Sequence, residues 1–227
     1  MSEILRFENI SLNVEKKNLF NFSLTINAGD FFIVNGKNAA GKSLLLKLFF
    51  LKILPSNGKM FLYGKRITEN QKINILEYRK KVGVILQNDY LIPFFSVYQN
   101  IEIASEIQSK KKHFKKRIDE ILDWLDLKQI SSELVNKLSN GEKQRVVIAR
   151  ALINNPKIII ADQPENYLDE VIKKKLFFLL ESLNKLGATI IMTSNNHNML
   201  TSTYKILISE MVNDKLSRGF KKNFTQR

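Results

Sequence analysis

A lysine and a serine close a glycine-bounded run, Gly36-Lys37-Asn38-Ala39-Ala40-Gly41-Lys42-Ser43, whose spacing G-x-x-x-x-G-K-[ST] suits a loop that wraps phosphate groups. The backbone N–H groups of such a loop converge on phosphate oxygens, and the positive end of a following helix adds to the attraction. Lys42 is placed to reach terminal phosphates as a point charge, and Ser43 to offer its hydroxyl to Mg²⁺. Far along the chain, Ile158-Ile159-Ile160-Ala161-Asp162 is an apolar run that delivers a carboxylate at its C-terminal end, where open α/β sheets bind ligands. Asp162 is the expected second partner of Mg²⁺. A plain strand-to-helix connection and a helix-capping aspartate would explain either run alone; the two in one chain predict a nucleotide site.

The surrounding pattern supplies the elements these residues need. Phe31-Phe32-Ile33-Val34 reads as a short buried strand, and Leu44, Leu45, Leu48 and Phe49 recur at helical spacing, so the phosphate loop opens a helix that runs toward Pro55-Ser56-Asn57-Gly58. Before the loop, residues 4–7 and 20–26 read as strands separated by Lys/Asn-rich turns; after it, residues 59–63 and 82–86 do the same. The stretch from about residue 88 to 138 differs, with Ile118, Ile121, Leu122 and Leu125 at helical spacing and a basic start, and reads as a helical insertion. Beyond it the chain returns to α/β order: helix 140–154, strand 158–161, helix 170–186, strand 189–192 and a short strand near 205–209.

With 227 residues and 44% hydrophobic content the chain can form one compact domain with an appended subdomain. Lys47 and Lys52 interrupt its long apolar run over 44–54, short of the roughly 20 residues a bilayer span needs. The charged first eight residues lack a signal-peptide core and point to the cytoplasm. The absence of cysteine excludes disulfides, thiolate metal sites and cysteine nucleophiles. A net charge of +14 invites a polyanion, yet lysine is spread along the whole chain. The densest cluster, Lys110, Lys111, Lys112, Lys115, Lys116 and Arg117, reads equally as a solvated helix start or as a contact with an anionic membrane surface. Nucleic acid is the poorer fit, because aromatic and basic residues do not interleave as a stacking platform requires.

Leu138-Ser139-Asn140-Gly141-Glu142 has the S-x-x-E form of a capping box, in which Ser139 caps a helix and Gly141 permits close backbone approach to an anion. Followed by Ala149-Arg150-Ala151-Leu152 and the Asp162 strand, this run resembles the LSGGQ signature of ATP-binding cassette (ABC) ATPases. The resemblance extends over nearly the whole chain, with motifs in order. Residues 36–43 are similar to the Walker A loop, Gln87 to the Q-loop glutamine, a Mg²⁺ ligand, and residues 158–162 to Walker B; Leu168-Asp169 resembles the D-loop. It implies a P-loop NTPase fold of the ABC type, α/β, with a RecA-like core, a small antiparallel β subdomain and a helical subdomain. It also implies ATP and Mg²⁺ as ligands and a head-to-tail pair of cassettes, either two copies or this chain and a paralogue. In such a pair each ATP lies between one Walker A loop and the partner's signature serine, here Ser139.

Within that family the wording over 45–49, 83–101 and 145–164 resembles the cell-division ATPases of the FtsE type, and less specifically their relatives in lipoprotein export. The FtsE-type resemblance implies a peripheral position on the inner face of the membrane and an integral membrane partner of the FtsX type. The turn Pro93-Phe94-Phe95 lies where such cassettes grip the coupling helix of that partner, so it is expected to be exposed.

Three departures from the family pattern concern ATP use. Gln163 stands where the glutamate that activates water belongs, and an amide cannot take the proton. Asn195 stands at the switch histidine, with His197 two residues on. Val14 occupies the adenine-stacking position, offering contact without a π-face, while Phe20 is the nearest shifted aromatic. Asn140, at a glycine of the signature, tolerates positive φ better than most residues. Phosphate and metal ligands are kept and the hydrolytic groups are changed, which predicts slow turnover; a normal rate would require Glu165 or His197 to supply the chemistry.

Overall fold

The computed structural model describes residues 2–14, 17–36, 41–68, 72–86, 91–106, 114–194, 205–212, 215–216 and 220–223. Two sheets divide the strands. The first, antiparallel, runs β2-β1-β4-β5, formed by β1 (Glu3–Val14), β2 (Lys17–Asn27), β4 (Asn57–Leu62) and β5 (Lys65–Arg66). The second comprises β3 (Phe31–Gly36), β6 (Val82–Ile85), β7 (Ile158–Asp162), β8 (Thr189–Thr193), β9 (Lys205–Val212), β10 (Lys215–Leu216) and β11 (Phe220–Asn223), in the order β10-β9-β3-β8-β7-β6 with β11 also on β9. Its β6, β7, β8, β3 and β9 are mutually parallel. Every residue of β7 and β8 is buried, which is why both read as unbroken apolar runs instead of alternating ones.

β1 is much longer than the strand 4–7 that its alternation suggests. Leu5 and Phe7 point inward, and then Ile10 and Leu12 do. The switch from odd to even positions needs one extra residue, supplied by a register shift between Phe7 and Ile10 in which Asn9 takes φ 49°. Gly58 on β4 faces this bulge at φ 98°; a Cβ there would lie 2.5 Å from the Asn9 carbonyl oxygen, so only glycine fits.

Helix α1 (Lys42–Phe49) stops at Phe49, several residues before the Pro55 break, because Leu51 adopts φ 57°. The carbonyls left there are taken by α2 (Lys72–Lys80), a helix the pattern did not reveal: Tyr78 donates its hydroxyl to Phe49 O at 2.8 Å, and Arg79 Nη2 donates to Leu51 O at 2.6 Å. An eight-residue helix is not stable alone. Leu45, Leu48 and Phe49, all fully buried beneath the two sheets, hold α1 in place at about 1.5–3 kcal/mol per side chain.

Helices α3 (Val97–Glu106) and α4 (Phe114–Trp124) form the helical stretch, whose two ends close on each other: Val97 N donates to Glu133 O at 3.0 Å and Val135 N to Phe95 O at 3.1 Å. Lys115 and Lys116 are exposed at the start of α4, while Lys110, Lys111 and Lys112 lie outside the described residues. Helices α5 (Asn140–Leu152) and α6 (Glu170–Lys185) then pack in the core that also takes Ile118 and Leu122 of α4. At the C-terminal side the expected short strand is β9 (Lys205–Val212), with β10 (Lys215–Leu216) and β11 (Phe220–Asn223) antiparallel to it. No helix among the described residues is long and apolar enough to cross a membrane.

Candidate nucleotide site

The C-terminal ends of β3, β7 and β8 converge on the start of α1. Gly41 precedes that helix at φ 82°, a left-handed geometry that glycine takes without a Cβ clash, and its carbonyl accepts from Leu44 N and Leu45 N at 3.0 Å each. No side chain among the described residues caps α1, and its first turn holds no acid. The two longest helices, α5 and α6, behave differently. Ser139 and Glu142 form a full capping box on α5, and Asp169 caps α6 by accepting from Ile172 N at 2.9 Å. No side chain among the described residues thus stands where an anion would approach α1, while side chains occupy that place on α5 and α6.

Lys42 is only 5% exposed. Burial pushes its ammonium pKa down, and the nearby charges of Asp162 and Glu165 oppose that shift. Asp162, 4% exposed, is oriented by Thr193, whose Oγ1 donates to Asp162 Oδ1 at 2.6 Å. The same Oγ1 accepts from Gln163 N at 3.0 Å, so one hydroxyl at the end of β8 fixes both residues at the end of β7. Next to it, Ser194 Oγ donates to Glu165 Oε1 at 2.6 Å. Gln163 itself takes φ 44°, and its Oε1 accepts from Asn166 Nδ2 at 2.8 Å. Oxygen donors from Ser43 and Asp162 are what Mg²⁺ uses when phosphates and water complete its shell. That shell needs no protein cage, consistent with the lack of any three-carboxylate or histidine cluster among the described residues.

The α5 end of the site is built against the turn after Asp162. Gln144 Nε2 donates to Pro164 O at 3.1 Å, buried, and Arg145 Nη1 donates to Leu125 O at 3.2 Å. A Cβ on Gly141 would sit 2.8 Å from the Tyr167 carbonyl oxygen, so this glycine is required by the chain's own D-loop-like turn whether or not an anion approaches it. Glu142 Oε2 accepts from Ser139 N at 2.8 Å and from Ser139 Oγ at 2.6 Å, which holds its carboxyl below the usual carboxylate range. The box is thus complete above that range and is lost as pH falls through the lowered value.

The model of the family described as ABC transporter matches residues 19–166. The chain belongs to the ABC transporter family. Similar curated proteins include the cell division ATP-binding protein FtsE of Bacillus subtilis, 34% identical over 85% of each chain. The methionine import ATP-binding protein MetN of Francisella tularensis is 36% identical over 80% of this chain and 53% of its own length. The lipoprotein-releasing system ATP-binding protein LolD of Aquifex aeolicus is 34% identical over 91% of this chain and 94% of its own. Among solved structures, a dimeric ATP-binding cassette in a post-hydrolysis state with ADP and Pi superimposes with a TM-score of 0.84 at 27% identity, covering 96% and 98% of the two chains. The fold is the P-loop ABC cassette.

In this cassette Gly36, Gly41, Lys42, Ser43 and Asp162 are brought to one place, and Gln163 stands beside them. Ser139 and Gly141 sit at the start of α5, against Tyr167. Val14 ends β1, paired with Lys17. Lys37, Asn38, Ala39, Ala40, Gln87, Asn195 and His197 lie outside the described residues, as do the side chains of Val14 and Phe20. The coupling-turn expectation needs a correction: Phe94 is 73% exposed, but Phe95 is half-buried with its ring 5.9 Å from that of Phe94 and its carbonyl bonded to Val135 N. The sequence pattern gives Thr193 and Ser194 no function; the available signal is the apolar centre Ile190-Ile191-Met192 of β8, followed directly by two hydroxyl residues.

Thr193→Val is expected to cost about 1.5–3 kcal/mol, because it leaves a buried carboxylate without its charged hydrogen bond. Urea unfolding would read the loss, and Thr193→Ser, which keeps the hydroxyl, should recover most of it.

Proposed function

We propose that this chain is the ATP-binding subunit of a membrane complex of the FtsE type, coupling ATP binding and slow hydrolysis to a membrane partner in cell division. The observation that carries the ATP part is the Lys42, Asp162 and Thr193 cluster at the uncapped start of α1. In this reading the backbone of residues 36–43 cradles the phosphates, Lys42 neutralises the terminal ones, and Ser43, Asp162 and Gln87 hold Mg²⁺. The metal, when bound, supplies charge neutralisation at the phosphate oxygens. Ser139 faces the ATP of a second cassette, a copy or a paralogue, and Val14 contacts adenine. The whole chain acts as one cassette, with residues 88–138 as its helical subdomain. It works as a peripheral protein on the inner face of the cell membrane, and basic residues such as Lys115 and Lys116 suit an anionic surface there.

Slow turnover is supported by Gln163, whose amide cannot accept a proton, and by Asn195 in place of a histidine. Its limiting form is a module that dimerises with ATP and does not hydrolyse it. A second reading is the ATP-binding subunit of a lipoprotein or small-molecule exporter; its lipoprotein form is supported by the LolD relative, matched over 91% of this chain and 94% of its own. Co-purification from membranes separates the two: an FtsX-type subunit supports the first, and a lipoprotein-release subunit replaces it with the second. Phe94→Asp is expected to abolish that co-purification while moving stability by less than about 0.5 kcal/mol, as exposed positions do. Retained co-purification, scored by affinity pull-down, would remove the coupling role from this turn.

A further inference from the structure

Glu165 is a buried carboxylate that the proposed site does not yet use. It is 4% exposed in a turn that follows β7, and glutamate is rarely this buried without a task or a charged neighbour. Ser194 Oγ anchors its Oε1 at 2.6 Å, tying the turn to the end of β8. Its charge and that of Asp162 act on Lys42, and the hydroxyls that hold the two carboxylates come from adjacent residues, Thr193 and Ser194. Between Asp162 and Asp169 it is the one acidic residue.

The nearby groups divide the work in a way that leaves one task open. Thr193 orients Asp162 on the metal side. The carbonyl oxygen of the Gln163 amide accepts from Asn166, and an amide has no basicity to offer. The turn thus carries its carboxylate at position 165, two residues beyond Gln163, with its charge acting on Lys42.

We propose that Glu165 is the proton acceptor for the residual ATP hydrolysis of this cassette, held in place by Ser194. The proposal rests on the ATP-binding reading above. In the step, the oxygen of a water molecule forms a bond to the terminal phosphorus. The bond from that phosphorus to the oxygen it shares with ADP breaks, and ADP leaves with the electron pair. The proton lost by the water passes to the Glu165 carboxylate, and Lys42 stabilises the negative charge of the phosphoryl group in flight.

Wild type, Glu165→Gln, Ser194→Ala and the double variant Gln163→Glu with Glu165→Gln are compared by three measurements. These are calorimetric Mg-ATP affinity, ATP-dependent dimerisation and single-turnover hydrolysis. Glu165→Gln keeps the shape of the side chain and a carbonyl oxygen for Ser194, so binding and dimerisation are expected to stay near wild type while hydrolysis falls by about 10²-fold. Ser194→Ala keeps the charge but frees its position, and is expected to slow hydrolysis with binding intact. The double variant returns a carboxylate to position 163 and is expected to restore hydrolysis. Glu165→Gln that hydrolyses at the wild-type rate overturns the proposal. So does a Glu165→Gln loss that the double variant cannot rescue, since the role is then structural. Should Glu165→Gln misfold, an unchanged rate in Ser194→Ala overturns it equally. Failure of the wild type to bind Mg-ATP would instead overturn the ATP-binding reading beneath it.

Discussion

Turnover should rise by about 10-fold or more when Gln163 is replaced by Glu, less than the roughly 10²–10⁴-fold that a positioned general base gives over none, because Glu165 already supplies part of that gain. The side chains are equal in length, and the backbone that presents position 163 is fixed by Thr193, which accepts from Gln163 N through both its carbonyl, at 3.1 Å, and its Oγ1, at 3.0 Å. The turn thus keeps its φ of 44° in the variant, and only basicity changes. Asn166, which donates to the Gln163 carbonyl oxygen at 2.8 Å, can donate equally to a carboxylate. Asn195→His should add to the gain only in the Gln163→Glu background, because a histidine that positions phosphate does not replace a base; two residues serving one reaction centre act non-additively. Steady-state ATPase of the wild type, both single variants and the double variant checks this, with ATP-dependent dimerisation followed in parallel. A wild type already as fast as Gln163→Glu would remove slow turnover from the functional reading. It would leave the role inferred for Glu165 standing, since that role predicts a drop on losing position 165 whatever the starting rate.

What could be read from the sequence, and what could not, follows from the range of the interactions involved. The phosphate loop and the β7 strand were legible because each motif is local: Gly41 must take a left-handed φ, Lys42 must follow it, and five consecutive buried residues spell a central parallel strand. The helix cap at Ser139 was legible for the same reason, since its partner is three residues away. β1 reads shorter in the sequence than it is because the register shift at Asn9 reverses the parity of its inward positions, and alternation counted across a bulge cancels. α2 was missed because its visible task is to serve another element, with Tyr78 and Arg79 reaching carbonyls 28 and 29 residues back. Thr193 and Ser194 belong to the same class. Their hydroxyls matter through Asp162 and Glu165, about 30 residues earlier, and no local pattern marks a threonine that orients a carboxylate. Gly141 shows the converse: the signature spacing identified it, but the contact that demands a glycine is the Tyr167 carbonyl of the chain's own turn.

Lys42→Ala is expected to weaken Mg-ATP binding by about 10- to 100-fold, the equivalent of losing about 1.5–3 kcal/mol of hydrogen bonding to a charged group. Lys42 is 5% exposed and the charges of Asp162 and Glu165 act on it, so its loss has a second consequence that a surface lysine would not produce. Asp162 and Glu165 then lose the cation on which both charges act, and like charges in a poorly solvated neighbourhood repel. The variant should unfold at lower urea than wild type even with no nucleotide present. Adding Glu165→Gln to Lys42→Ala removes one of the two opposed charges and should recover part of the stability while leaving nucleotide affinity low, because the phosphates still lack their cation. The two readouts therefore separate the electrostatic job Lys42 does for the fold from the one proposed for the ligand. Calorimetry with Mg-ATP and urea titration of the apo proteins give both numbers from the same preparations. Unchanged ATP affinity in Lys42→Ala would remove the nucleotide from this site altogether. Unchanged stability would mean that Asp162 and Glu165 are already well enough served by Thr193 and Ser194.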